Sequence, residues 1–167
     1  MPSDLMTVDP LTQILNRRGI SNRFNEIQNN RASSEHSICV ALIDIDYFKK
    51  INDQYGHDAG DQVLIDIAQL LRLNTMQPDH VGRFGGEEFL IIFEDTSTEV
   101  AQQILERCRL AIEQHRLNYQ DYSIQLTASF GLSCSSQIGI DQHSLILVAN
   151  QALYQAKNAG RNQICIA

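Results

Sequence analysis

The run Ile38-Cys39-Val40-Ala41-Leu42-Ile43 constrains this chain more than any other stretch. Its consecutive apolar residues leave no polar face to give to water. Such a segment forms a strand only where both faces are covered, as in the middle of a sheet with helices on either side. It ends in Asp44-Ile45-Asp46. Carboxylates at the carboxyl end of a buried strand stand where open sheets tend to place ligands.

The flanking patterns supply the cover. Asp9-Pro10 reads as a helix start, with Asp9 as N-cap and Pro10 at the first helical position. Leu11, Ile14, Leu15, Ile20, Phe24 and Ile27 continue it, and Gly19 bends or splits it. A polar loop follows over 29–37. After the buried strand come a short helix over 48–55, a turn at Gly56, and a long amphipathic helix capped by Asp61. Strands over 81–84 and 89–93 flank Gly85-Gly86-Glu87-Glu88, a strong hairpin signal. A helix from Thr98 through Ile112, a strand over 125–133, a loop over 139–143, a helix over 145–157 and a last strand over 163–166 complete the pattern. The fold class is α+β, a palm or ferredoxin-like domain whose mixed, largely antiparallel sheet of about five strands is flanked by helices. Residues 1–8 read as the remnant of a linker and 9–167 as one domain.

Composition narrows the partners. A formal net charge of −7 repels polyanions, so a nucleic acid polymer or an anionic membrane surface is a poor partner for this domain. No apolar run spans a bilayer, and no secretory signal opens the chain. Cys39, Cys108, Cys134 and Cys165 are widely spaced and lack a CxxC pair; they read as buried free thiols of a reducing cytoplasm rather than zinc ligands. The five histidines show no ligand spacing, and His57 reads as structural.

Three groups of residues can carry chemistry. Asp44 at the strand end and Glu87 and Glu88 in the hairpin tip come together if the hairpin lies beside the strand. Like charges that close are unfavourable without a cation, and an all-oxygen set suits Mg²⁺. Taken singly, Asp44 is also a helix cap and the glutamates are also ordinary solvated side chains. Phe48 and Lys49 open a helix, where backbone amides are free to meet an anion. Lys157 and Arg161 stand four apart, on one side if the last helix continues, and they equally complement that helix's dipole. Asn52 and Asp61 flank a Gly-containing loop. An Asp carboxylate and an Asn amide match the guanine edge, and both residue types serve equally as loop and cap residues.

Taken in order, these motifs resemble the GGDEF family of bacterial diguanylate cyclases from about Asp9 to Ile166. The resemblance rests on Asp9-Pro10-Leu11-Thr12 with Asn16-Arg17-Arg18, and on Asp44-Ile45-Asp46-Tyr47-Phe48-Lys49-Lys50-Ile51-Asn52-Asp53. It continues through Tyr55-Gly56-His57, Gly60-Asp61, Arg83-Phe84-Gly85-Gly86-Glu87-Glu88-Phe89 in its Glu variant, and Ala156-Lys157 with Gly160-Arg161-Asn162. It implies a catalytic domain that condenses two GTP into cyclic di-GMP and two pyrophosphates. It also implies that Asp44, the Ile45 carbonyl and Glu87 hold two Mg²⁺ or Mn²⁺ ions, with Glu88 assisting at the metal or in deprotonating the attacking hydroxyl. Asn52 and Asp61 would read guanine. The Phe48 and Lys49 amides, Lys157 and Arg161 would hold the triphosphate, and Gly85-Gly86 would admit the nucleotide closely. A homodimer, at least transient, would bring two GTP together. A sensor or receiver domain would lie upstream, outside this chain. The domain would be cytoplasmic, in a whole protein that an N-terminal part can anchor to a membrane.

The chain departs from the family pattern at two places. Gln13 stands where the family usually has Gly. In the Arg-x-x-Asp motif of product inhibition the matching stretch is Met76-Gln77-Pro78-Asp79, which keeps the Asp and lacks the Arg. A thioether cannot make the bidentate contacts of a guanidinium, so this site is expected to be lost. Two other classes fit the same residues: a catalytically silent GTP-binding module, and another nucleotidyl transferase on a related palm.

Overall fold

The computed structural model describes residues 6–29, 37–76, 80–135 and 141–167. Its elements in chain order are α1 (Arg17–Asn29), β1 (Ile38–Ile45), α2 (Phe48–Tyr55), α3 (His57–Asn74), β2 (Val81–Arg83), β3 (Glu88–Glu94), α4 (Thr98–Gln114), β4 (Leu117–Tyr119), β5 (Tyr122–Ile124), β6 (Ala128–Ser135), α5 (Gln142–Asn158) and β7 (Ile164–Ile166). The main sheet has five strands in the order β2-β3-β1-β6-β7. All neighbours are antiparallel except β6 and β7. This is the expected α+β architecture.

Every residue of β1 is buried, as its unbroken apolar run requires. Cys39, Ala41, Ile43 and Ile45 face one core with Val63, Leu64, Ile67 and Leu71 of α3 and Ile104, Leu105 and Ile112 of α4. Ile38, Val40 and Leu42 face the other, with Ile20, Phe24 and Ile27 of α1 and Leu145, Ala149 and Leu153 of α5. Full burial of each large apolar side chain contributes about 1.5–3 kcal/mol. Gly131 lets α5 settle directly on β6: a Cβ there would lie 2.2 Å from the Ala149 carbonyl oxygen and 2.3 Å from the Leu153 nitrogen. That approach carries Lys157, one turn further along α5, to the carboxyl end of β1.

Several expectations are corrected. Asp9 starts a turn rather than a helix. Its Oδ2 accepts from the Thr12 amide (2.9 Å) and hydroxyl (2.6 Å), which is cap chemistry closing a single turn. Leu15 then bonds the edge strand, its N–H donating to the Val81 carbonyl (3.2 Å) and its carbonyl accepting from Arg83 N–H (2.7 Å), which pulls the chain out of helical geometry. The helix begins at Arg17, with Asn16 Oδ1 accepting from Gly19 N–H at 2.9 Å. Asp61 caps nothing, because α3 already starts at His57 behind Gly56, whose φ of 96° ends α2. Residues 117–124 form a two-stranded hairpin that the sequence reading lacked. β6 runs over Ala128–Ser135 rather than 125–133. Asp141 caps α5, accepting from Ser144 N–H at 2.7 Å, inside the stretch expected as a loop.

Cys39 and Cys134 are not free thiols. They are opposite residues in the β1–β6 register, with Cα atoms 4.0 Å apart, and a disulfide joins them. Cys108 and Cys165 are free, and burial pushes the Cys108 thiol up to about 12. Most of the loop expected over 29–37, most of the 1–8 stretch and Asp79 lie outside the described residues. Among the described residues, no helix is long and apolar enough to cross a membrane.

Candidate functional site

The sheet places the acidic residues. Asp44, the penultimate residue of β1, lies opposite Glu88, the first residue of β3, and Glu87 precedes it. Ile45 N–H donates to the Glu87 carbonyl at 3.4 Å. The turn between β2 and β3 is held by Phe84 and Gly85 N–H donating to the Glu88 carbonyl (2.8 and 3.1 Å) and by the Arg83 guanidinium donating to the Gly86 carbonyl (2.7 and 3.1 Å). A Cβ on Gly85 would lie 2.9 Å from Glu88 Oε1, whereas Gly86 faces open space.

The electrostatics follow from this crowding. Burial, then Asp44, raises the Glu87 carboxyl to about 7, with Lys157 opposing. Burial and Asp44 also raise Glu88, opposed by Lys157 and Arg17. Asp44 is buried, and the Lys157 ammonium contacts its Oδ2. Three carboxylates thus share one ammonium, a set short of positive charge. Among the described residues no three His, Cys, Asp or Glu side chains converge as a closed metal cage. Asp44 and Glu87, with the Ile45 backbone next in the chain, leave an open oxygen set at the end of β1. Such a set fits Mg²⁺, which keeps waters and substrate phosphates as its other ligands.

Beside the carboxylates lies a pocket of about 380 Å³ lined by Phe48, Lys49, Asn52, His57, Asp61, Leu64, Arg83, Gly86 and Glu87. Asn52 and Asp61 therefore share one cavity, Asp61 from within α3 rather than from its cap. Asn52 Oδ1 is buried without a hydrogen-bond partner among the described residues, against the bare α-carbon of Gly60. The first amides of α2, at Phe48 and Lys49, follow Tyr47, which is left-handed (φ 57°) and offers them no side-chain cap. His57, Leu64 and Arg83 line the same pocket and are not among the site residues expected from sequence; His57 reads there as structural, Arg83 stands in the hairpin motif, and nothing local marks Leu64.

Lys157 and Arg161 do not share a helix face. α5 ends at Asn158, and Arg161 follows in the left-handed region (φ 65°), its Cζ 4.7 Å from the centroid of the Tyr47 ring. Both still converge on the end of β1. Asp46 is buried and accepts from Thr127 Oγ1 (2.6 Å), Ser129 Oγ (2.7 Å) and Asn162 N–H (3.1 Å), which makes it a support of the loops rather than an open ligand. The Asp9 turn bears on the hairpin too. Arg83 pairs with Asp9 at 3.4 Å, and Arg17 donates to the Phe84 carbonyl (2.6 Å) while lying 3.9 Å over the Phe84 ring. Gln13, in that turn, adopts φ 65°, the conformation that explains a glycine preference at this position. Met76 is exposed.

A family model described as "Diguanylate cyclase, GGDEF domain" matches residues 6–163. Diguanylate cyclase DgcP of Pseudomonas aeruginosa is 39% identical over 161 residues, 95% of this chain and 24% of that protein. Among solved structures, the coiled coil and GGDEF domain of DgcB from Caulobacter crescentus in complex with c-di-GMP is similar with a TM-score of 0.91 at 30% identity, over 99% of this chain and 88% of that one. The active GGEEF domain of a diguanylate cyclase from Vibrio cholerae is similar with a TM-score of 0.77 at 36% identity, over 92% and 97% of the two chains. The chain spans 24% to 38% of the length of the first curated relatives it matches.

Proposed function

The chain belongs to the GGDEF domain family of diguanylate cyclases, and from that premise we propose that it is the GGEEF form of the catalytic domain, condensing two GTP into cyclic di-GMP and two pyrophosphates. The observation that carries this reading is that one pocket is lined both by Asn52 and Asp61 and by Gly86 and Glu87. A nucleotide whose base meets the first pair has its phosphates beside the carboxylates.

Cyclases of this family use a divalent metal. Here Asp44, Glu87 and the Ile45 carbonyl would hold two Mg²⁺ or Mn²⁺ ions, which when bound lower the pKa of a 3′-hydroxyl and offset charge on the phosphates. Glu88, whose pKa burial and Asp44 raise, would assist at the metal or accept the hydroxyl proton. Lys157, Arg161 and the amides of Phe48 and Lys49 hold the triphosphate. Gly85 and Gly86 keep the turn free of side chains. Asp61 accepts from the guanine N1–H and exocyclic amine, and Asn52 adds a further bond.

One domain holds one GTP, so each 3′-hydroxyl meets an α-phosphate only when two copies face each other. The homodimer is at least transient and two-fold. Residues 9–167 form the catalytic domain, 1–8 are the end of a linker, and a sensor or receiver domain lies upstream in the longer protein. The domain works in the cytoplasm, without nucleic acid or membrane contact of its own. Met76 replaces the Arg of the product-inhibition motif, so cyclic di-GMP does not feed back through Asp79. Tight product binding that Asp79→Ala abolishes would contradict that point.

Incubation with GTP and Mg²⁺ gives cyclic di-GMP and pyrophosphate, and Glu87→Ala loses both. GTP binding without product under these conditions would instead identify a silent regulatory module.

A further inference from the structure

We propose that Tyr47 is a positioning residue for Arg161, holding the guanidinium by its face so that its N–H edges stay free for phosphate. The inference rests on the functional reading above, in which Arg161 meets the triphosphate.

The backbone around Arg161 is strongly fixed. Gly160, Arg161 and Asn162 are all left-handed, with φ of 118°, 65° and 49°. Arg161 N–H donates to the Ala156 carbonyl at 3.0 Å, and Asn162 N–H donates to Asp46 Oδ2 (3.1 Å) and Ser129 Oγ (3.2 Å). The Asn162 side chain accepts from Arg109 (3.0 Å) and donates to Glu113 (2.5 Å). The loop is therefore anchored through its amides and through Asn162, and none of these bonds holds the Arg161 side chain.

Among the described residues the Arg161 guanidinium makes no hydrogen bond or ion pair; its partner is the Tyr47 ring. That ring is 54% exposed, so it does not serve the core. It is presented by a left-handed residue at the start of α2, and Lys50 Nζ also lies 4.7 Å from its centroid. The distinction from an ionic partner matters chemically. A carboxylate would occupy the same N–H groups that a phosphate needs. An aromatic ring meets the π-face of the planar guanidinium and leaves its edge donors open. Tyr47 thus narrows the rotamers of a long side chain before substrate arrives, without competing with that substrate.

The test is calorimetric binding of GTP, as the α,β-methylene analogue that cannot expel pyrophosphate, and of guanosine, each with Mg²⁺, to the wild type, Tyr47→Ala, Tyr47→Phe, Arg161→Ala and the Tyr47→Ala/Arg161→Ala double variant. Tyr47→Ala weakens GTP by about twofold to fivefold, the size of an exposed cation–π contact, and leaves guanosine unchanged. Tyr47→Phe keeps wild-type affinity, and Tyr47→Ala adds nothing in the Arg161→Ala background. Three results would each overturn the inference alone: unchanged GTP binding by Tyr47→Ala, equal weakening of guanosine, or the same loss with Arg161 absent. A wild type that binds no GTP overturns the functional reading and this inference together.

Discussion

Replacing Gly60 with alanine puts a methyl group where the Asn52 amide now sits. The added Cβ would lie 1.8 Å from Asn52 Oδ1 and 2.9 Å from its Cγ, and 3.4 Å from Phe48 Cζ. Gly60 is inside α3, so the backbone cannot yield, and the Asn52 side chain must turn away. The free protein loses little by this, because Oδ1 has no hydrogen-bond partner among the described residues to give up. Alanine is also favoured over glycine within a helix by about 1 kcal/mol. The helix term is the larger, so the melting temperature should rise, by no more than about 2–4 °C. GTP binding has no such compensation. A guanine group left unpaired in the pocket costs about 1–3 kcal/mol, which is about fivefold to 150-fold in KM. Selectivity over ATP narrows as well, since a site built to hydrogen-bond its substrate discriminates by those bonds. Steady-state kinetics with GTP, alongside thermal unfolding, checks both halves. A Gly60→Ala protein with wild-type KM and wild-type selectivity would refute the role of Asn52 in reading the base.

Other consequences can be measured independently. Glu87 has a folded pKa raised from 4.5 to about 7, so between those values the native state binds more protons than the unfolded chain. In EDTA, stability should therefore fall as pH rises through about 7, and urea unfolding of Glu87→Gln at pH 5 and pH 8 should lack that component. Gly131→Ala drives a methyl group into the backbone of α5 and should cost about 3 kcal/mol or more, lowering the melting temperature by about 6–12 °C. Asp46→Ala strands the Thr127 and Ser129 hydroxyls, while the Asn162 amide keeps Ser129 Oγ, and should cost about 1–3 kcal/mol for each hydroxyl left unpaired, which denaturant titration would register. Thiol titration in denaturant should find two reactive cysteines without reductant and four with it.

What could be read from sequence was local. β1 was legible because an unbroken apolar run has one stable home, and the β2–β3 hairpin because Gly85-Gly86 marks a turn between two short apolar segments. The juxtaposition of Asp44 with Glu87 and Glu88 needed only those two elements side by side. The Asp9 turn was not legible, since Asp-Pro cap chemistry starts a helix or closes a turn equally well. The deciding bonds come from Val81 and Arg83, far along the chain. The β4–β5 hairpin has three residues per strand, too few to show a period. Arg161 left the helix because Gly160 and the Asp46 contact to Asn162 redirect the backbone, neither of which spacing alone reveals. The Cys39–Cys134 bridge depends on the β1–β6 register, which exists only once the sheet is assembled. The part played by Gly60 needed α3 to start at His57, so that its α-carbon faces Asn52.

In the proposed reaction two copies of this domain, each holding GTP between Asn52 and Asp61 and the carboxylates of Asp44 and Glu87, act together. Cyclic di-GMP formation measured against protein concentration, at saturating GTP and Mg²⁺, tests it most directly. Product formed per molecule of protein should rise with concentration until the dimer is saturated, and vanish in Glu87→Ala. Absence of cyclic di-GMP at every concentration, or a rate per molecule that does not change on dilution into the monomeric range, would contradict it.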